Sequence, residues 1–129
     1  MLENSKHIII IGAGIAGLTA ALSFRHFGIR TSIYERSPEI ITAGAGIQLS
    51  PNANRVLSRI GVLKEISSVS IRCHGVKVFD YKSNQQLALF DYMNFKGNDL
   101  FYFCHRADLV GILYACLLYT SDAADDSYR

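Results

Sequence analysis

Residues 7–36 read HIIIIGAGIAGLTAALSFRHFGIRTSIYER, and this stretch decides the fold. The β-branched run His7 to Ile11 is the pattern of a buried parallel strand. It meets three glycines, Gly12, Gly14 and Gly17, spaced G-x-G-x-x-G. Ile15 to Phe27 is apolar almost all round, as suits a helix covered on both sides. Gly28 is placed to end that helix in a left-handed cap, and Ile29 to Tyr34 reads as a second strand closed by Glu35. The prediction is a β-α-β unit with an acid after its second strand. G-x-G-x-x-G alone is a weak signal; in this register with strand, helix and acid it is a strong one.

Each glycine has its own task in such a unit. Gly12 permits the tight turn out of the strand. Gly14 lacks a Cβ, so a pyrophosphate can approach the backbone. Gly17 lets the helix lie close to the strand, and Ala21 is small where helix and sheet cross. The helix begins at about Gly14, and its unpaired amides and positive dipole end face the phosphates. Glu35 stands where a carboxylate accepts ribose hydroxyls. A carboxylate there disfavours a 2′-phosphate, so the ligand expected is a dinucleotide other than NADP. The plain alternative is a glycine turn in an ordinary α/β domain with Glu35 on the surface. A membrane anchor or signal segment is the other one, since Ile8 to Phe24 carries no charge. That run of about 17 residues is at the short limit of a span, and isoleucines running into glycines fit strand and turn better.

The 129 residues suffice for one small domain, and a half-hydrophobic composition excludes global disorder. A net charge of +2 without a basic cluster argues against nucleic acid as a partner. Cys73, Cys104 and Cys116 show neither metal spacing nor a disulfide framework. They read as small buried hydrophobes in a reducing compartment, and the expected location is the cytoplasm. His7, His26, His74 and His105 show no paired spacing, so no metal site is expected.

A second glycine turn spans Thr42 to Ile47 (TAGAGI), where backbone is free to approach a ligand or simply to loop. Ser50 and Pro51 have the chemistry of an N-cap and a first helical residue. The helix they open is expected to bury Ala53, Val56, Leu57, Ile60 and Leu63 on one face and to solvate Arg55 and Arg59 on the other, with Gly61 breaking it before Val62 to Ile66. From Ile71 the period changes to two. Val76 to Tyr81 and Gln86 to Phe90 flank Lys82-Ser83-Asn84-Gln85 as a hairpin, and His74 before it is expected at the surface. Leu100 to Cys104 reads as a further strand. Arg106 to Leu109 then opens a helix with Leu109, Ile112, Leu113 and Cys116 on one face. Arg106, at that junction, is suited either to a phosphate or ribityl hydroxyl or to a structural ion pair. Asn52 to Asn54 and Asn94 to Asn98 are the remaining polar clusters.

Three segments together carry a family likeness: the opening β-α-β with Glu35-Arg36, then GAGIQLSPNANRVLSRIGVL, then HRADL. From about residue 6 to 115 the chain resembles the class A FAD-dependent aromatic hydroxylases, which include salicylate and hydroxybenzoate hydroxylase-like monooxygenases. The resemblance implies an α/β fold, a Rossmann-like β-α-β FAD-binding domain in its N-terminal part, with a β-hairpin from the start of the mixed substrate-domain region. It implies that Gly12, Gly14 and Gly17 hold the FAD pyrophosphate, that Glu35 binds the adenosine ribose, and that Arg36 lies beside the adenine end. Gly44 to Ile47 is then expected to approach the cofactor, with Gly46 as the contact, and Arg106 to reach FAD near the ribityl–pyrophosphate. The implied partners are NADH or NADPH as hydride donor, O2, and a small aromatic substrate; the catalytic residues stay unassigned. Later Asp-Gly and Gly-Asp segments of that family have no counterpart here. Two rivals stay open: another FAD oxidoreductase on the same scaffold, such as a reductase or epoxidase, and a non-catalytic nucleotide-binding module.

The last stretch, Cys116 to Arg129 (CLLYTSDAADDSYR), changes character abruptly. CLLYTSDAAD resembles the in-frame translation of a sequencing-library adaptor. The expected organisation is therefore a partial FAD-binding domain over 1–115 and an appended tail over 116–129, with the natural part an N-terminal piece of something longer.

Overall fold

The computed structural model describes residues 6–40, 44–96 and 99–125, with the helix backbone alone over 120–125. Thr42 and Ala43 of the second glycine turn, Gly97 and Asn98 of the asparagine cluster, and residues 126–129 of the tail lie outside the described residues. In chain order the elements are β1 (His7–Ile11), α1 (Ile15–His26), β2 (Arg30–Tyr34), β3 (Gly46–Leu49), α2 (Pro51–Arg59), α3 (Leu63–Ser68), β4 (Ile71–Cys73), β5 (Gly75–Phe79), β6 (Gln86–Asp91), β7 (Phe101–His105) and α4 (Arg106–Asp125).

The opening unit folds as its pattern requires. β1 and β2 pair in parallel, His7 with Arg30 through Ile11 with Tyr34, and α1 is the crossover between them. Gly28, at φ +70, turns the chain out of α1. The stretch from Ile8 to Phe24 is thus strand, turn and helix, and no described helix is long and apolar enough to cross a membrane. Leu18, Ala21 and Leu22 of α1 are fully or almost fully buried, and Leu18 and Leu22 share one core cluster with Leu109, Val110 and Leu113 of α4. Each large aliphatic side chain removed from water in this way contributes about 1.5–3 kcal/mol. Ile10 points toward α1, so by strand alternation Ile9 and Ile11 project from the other face of the sheet, where Ile11 is 81% exposed. The Arg25 guanidinium donates to the carbonyls of Cys116 and Leu117 at 3.3 and 3.2 Å, tying α1 to α4.

A second, antiparallel sheet has the order β3-β7-β4, with Gly46 opposite His105 and Ile71 opposite Phe103. β5 and β6 form the expected hairpin. Its turn is organised by the Asp80 carboxylate, which accepts the amides of Lys82 and Ser83 and the Ser83 hydroxyl at 3.1, 2.7 and 2.7 Å. The Ser83 amide foremost, then its hydroxyl, holds the Asp80 carboxyl below its ordinary range. Asn84 adopts φ +55, a left-handed conformation that asparagine tolerates. β5 stops at Phe79 because Asp80 starts this turn, so Tyr81 lies outside the strand.

Three further expectations need correction. Val56 does not join the buried face of α2: it is 45% exposed, and the buried positions are Asn54 and Leu57. The helix is rotated so that polar Asn54, rather than Val56, enters the core, because its Nδ2 donates to the Leu100 carbonyl at 2.6 Å. Arg55 is not merely solvated; it pairs with Asp99 at 2.8 Å across an exposed gap. Ser50 occupies the N-cap of α2 with Pro51 behind it, yet its hydroxyl bonds the Asn52 side chain instead of capping a helix amide. Gly61, at φ +81, separates α2 from α3. Cys73 and Cys104 are buried and Cys116 is half-buried; burial pushes the Cys104 thiol up. His74 is exposed. α4 runs without a break from Arg106 across residues 115 and 116 to Asp125.

Candidate functional site

The site is built around the turn from β1 into α1. Gly12 sits at φ +101, which only glycine adopts without strain, and its amide donates to the Tyr34 carbonyl at 2.7 Å. This bond stitches the glycine turn to the end of β2. Gly17 is where α1 crosses β1: an added Cβ would run into the Gly12 carbonyl oxygen and lie 3.3 Å from the Ile10 side chain. Gly14 is the opposite case. It is extended, at φ −77 and ψ −176, and forms the N-cap of α1. A Cβ added there meets nothing within 4 Å. The helix starts immediately beyond it, and its first intrahelical bond is Leu18 N–H to the Gly14 carbonyl at 3.0 Å. The amides before Leu18 have no partner one turn back in the helix.

Across from Gly14 stands Glu35. Its Oε2 accepts the Ala13 amide at 2.7 Å and its Oε1 accepts the Ser37 amide at 2.8 Å. The Ser37 amide, then the Ala13 amide, holds the carboxyl below its ordinary range, and Arg36 adds a smaller charge effect in the same direction. Arg106 closes the third side. It is the first residue of α4, at the end of β7, and its amide donates to the Ala45 carbonyl at 3.3 Å. Its side-chain stem passes so close to Gly44 that a Cβ there would lie 3.1 Å from it.

Gly14, Glu35 and Arg106 line one cavity of about 170 Å³, together with Ala13, Ser37, Ile40 and Val110. A larger open groove of about 1150 Å³ shares the Ala13–Glu35 corner and follows β2 toward His7 and Gly28, bordered by Tyr114 and Leu117 of α4. Of the residues picked from sequence, Gly14, Glu35 and Arg106 are brought together. Gly12 and Gly17 shape the turn from beneath. Arg36 is exposed just past Glu35, and Gly46 lies on β3 opposite His105; neither lines the smaller cavity. Ala13 and Ser37 were not among those picked. Both act through a backbone N–H, which leaves no side-chain signature, although Ala13 is findable as the middle residue of G-x-G.

Chemically the cavity joins a helix N-terminus and a guanidinium, both suited to phosphate, with a fixed carboxylate suited to hydroxyl donors. The open space above Gly14, which a Cβ would fill, fits the close backbone approach of a pyrophosphate.

The family model that matches is described as FAD binding domain and covers residues 5–112. The chain is 34% identical over 112 residues to 3-amino-4-hydroxybenzoate 2-monooxygenase of Streptomyces cremeus, covering 84% of this chain and 28% of that protein. It is 35% identical over 112 residues to 3-hydroxybenzoate 6-hydroxylase 1 of Aquipseudomonas alcaligenes, with the same coverage of 84% and 28%. Among solved structures, a tetrameric form of 2-methyl-3-hydroxypyridine-5-carboxylic acid oxygenase superposes with a TM-score of 0.75 at 26% identity, over 90% of this chain and 30% of that one. The chain therefore spans about 28% of the length of the curated relatives it matches.

Proposed function

The chain belongs to the FAD binding domain family, and from that premise we propose that it supplies the FAD-binding part of a flavin monooxygenase that hydroxylates a small aromatic molecule. In this reading O2 is the oxygen source, NADH or NADPH the hydride donor, and the cytoplasm the location. The observation that carries it is the convergence of Gly14, Glu35 and Arg106 on one cavity at the N-terminus of α1. Gly14 and the first amides of α1 hold the pyrophosphate, and Arg106 contacts its ribityl side. Glu35 accepts the adenosine ribose hydroxyls, Arg36 lies beside the adenine end, and Gly46 approaches the cofactor from β3. Bound FAD would supply the chemistry of accepting hydride and activating O2; the residues described here bind and orient it. The aromatic preference is carried over from the names of the relatives, both of which act on hydroxybenzoates.

Fluorescence titration of the chain with FAD and with FMN tests the binding half. A ribose-directed Glu35 engages only the adenosine half of the ligand, so FAD is expected to bind at least about tenfold tighter than FMN. Equal affinities overturn the dinucleotide reading. Hydroxylated product formed with NADH or NADPH oxidation, in a protein that carries this domain, tests the catalytic half. Residues 116–129 are proposed as sequence appended to a domain over 1–115; long-read sequencing of untagmented DNA across codons 110–130 tests that boundary.

A further inference from the structure

We propose that the backbone amide of Ser37 is a positioning group for the cofactor site, holding the Glu35 carboxylate in a fixed orientation before the ligand arrives. The inference rests on the flavin reading above and adds to it a group with no side-chain role. Glu35 is exposed and carries a flexible side chain, which unrestrained would sample many rotamers and lose that freedom on ordering. Here it is clasped at both oxygens. Oε2 takes the Ala13 amide at 2.7 Å, 22 residues back in the glycine turn, and Oε1 takes the Ser37 amide at 2.8 Å, two residues ahead. The carboxylate thereby bridges the phosphate-facing turn and the chain leaving β2.

Each carboxylate oxygen accepts more than one hydrogen bond, so the clasp leaves acceptor capacity for ribose hydroxyls. The same cavity holds Gly14 and Arg106. A carboxylate already oriented spares the ligand the ordering cost, which is preorganisation in its usual form. The Ser37 amide acts on the charged carboxylate most strongly, followed by the Ala13 amide, with Arg36 the acting charge. Of the two amides that clasp its oxygens, the Ser37 amide can be removed without touching the glycine turn.

The test uses the full 129-residue chain and FAD. Ser37→Pro deletes the N–H, and its FAD dissociation constant is expected to rise about tenfold. The Glu35 carboxyl, followed by carbon-detected NMR titration, is expected to move up toward the ordinary glutamate value in the same variant. With Ser37→Ala, which keeps the N–H, both readings are expected to return to those of the wild type. An amide-to-ester replacement at position 37 removes the same donor without a proline ring, and carries the test if Ser37→Pro loses its circular-dichroism signature. Wild-type affinity and an unmoved carboxyl titration in the donor-deleted chain overturn the proposal and leave the flavin reading intact. Equal losses in Ser37→Pro and Ser37→Ala overturn it too, by assigning the effect to the hydroxyl. Failure of the wild type to bind FAD overturns the reading that these residues suffice to bind it, and is recognised before any variant is compared.

Discussion

Gly14 and Gly17 stand three residues apart in one motif, and the structure predicts that alanine at the two positions fails in opposite ways. In Gly17→Ala the new methyl is driven into the Gly12 carbonyl oxygen, with the carbonyl carbon at 3.1 Å and the Ile10 methyl at 3.3 Å. The obstacle is backbone, so it cannot rotate away; α1 must retreat from β1 and loosen Leu18, Ala21 and Leu22 in the core. Overpacking of this kind costs about 3 kcal/mol. With a urea dependence of about 2 kcal/mol per molar for a chain this size, the unfolding midpoint falls by about 1.5 M. In Gly14→Ala the backbone is already extended and the methyl meets nothing within 4 Å. The structural cost is the poorer N-cap quality of alanine, at most about 1 kcal/mol, or about 0.5 M in the midpoint. That methyl occupies the space assigned to the pyrophosphate, so FAD affinity drops by at least about tenfold, or about 1.4 kcal/mol. Urea unfolding followed by circular dichroism, beside FAD titration on the same preparations, separates the two. A wild-type midpoint in Gly17→Ala refutes the strand–helix contact. Wild-type FAD affinity in Gly14→Ala refutes the approach of the ligand at that glycine.

The other predictions follow from single groups. Glu35→Ala is expected to weaken FAD binding by about 1–3 kcal/mol through a lost charged hydrogen bond; an unchanged dissociation constant removes the ribose role. Because the Glu35 and Asp80 carboxyls are held below their ordinary range, the stability they contribute is present above the unfolded carboxylate values near 4–4.5 and is lost as pH falls through their lower folded values. Thermal melts from pH 6 to pH 3 should therefore decline more steeply in the wild type than in Glu35→Ala, and parallel curves contradict this. Asn54→Ala removes the donor to the Leu100 carbonyl and leaves a small void at a buried position, for a loss of about 1–3 kcal/mol in urea unfolding. The Asn54 Oδ1 has no partner among the described residues, so Asn54→Asp, which adds a charge there, is expected to cost more.

What was legible in the sequence is what depends on neighbours in sequence. The β1-α1-β2 unit follows from a strand pattern, three glycines and one acid within thirty residues, and each glycine's task is set by its immediate turn. The hairpin follows for the same reason, although its turn begins at Asp80, inside the stretch whose alternation reads as strand. The rotation of α2 was not legible, because periodicity ranks Val56 above Asn54, and only the Leu100 carbonyl, 46 residues ahead, makes burial of an amide favourable. Nor was the hold of Arg25 on the carbonyls of Cys116 and Leu117, which needs α1 and α4 already side by side. The site divides along the same line. Gly14, Glu35 and Arg106 announce themselves as residue types at motif positions. The amides of Ala13 and Ser37 bond Glu35 yet leave no trace in side-chain identity, so a sequence of side chains names groups that line the cavity and omits part of what holds them in place.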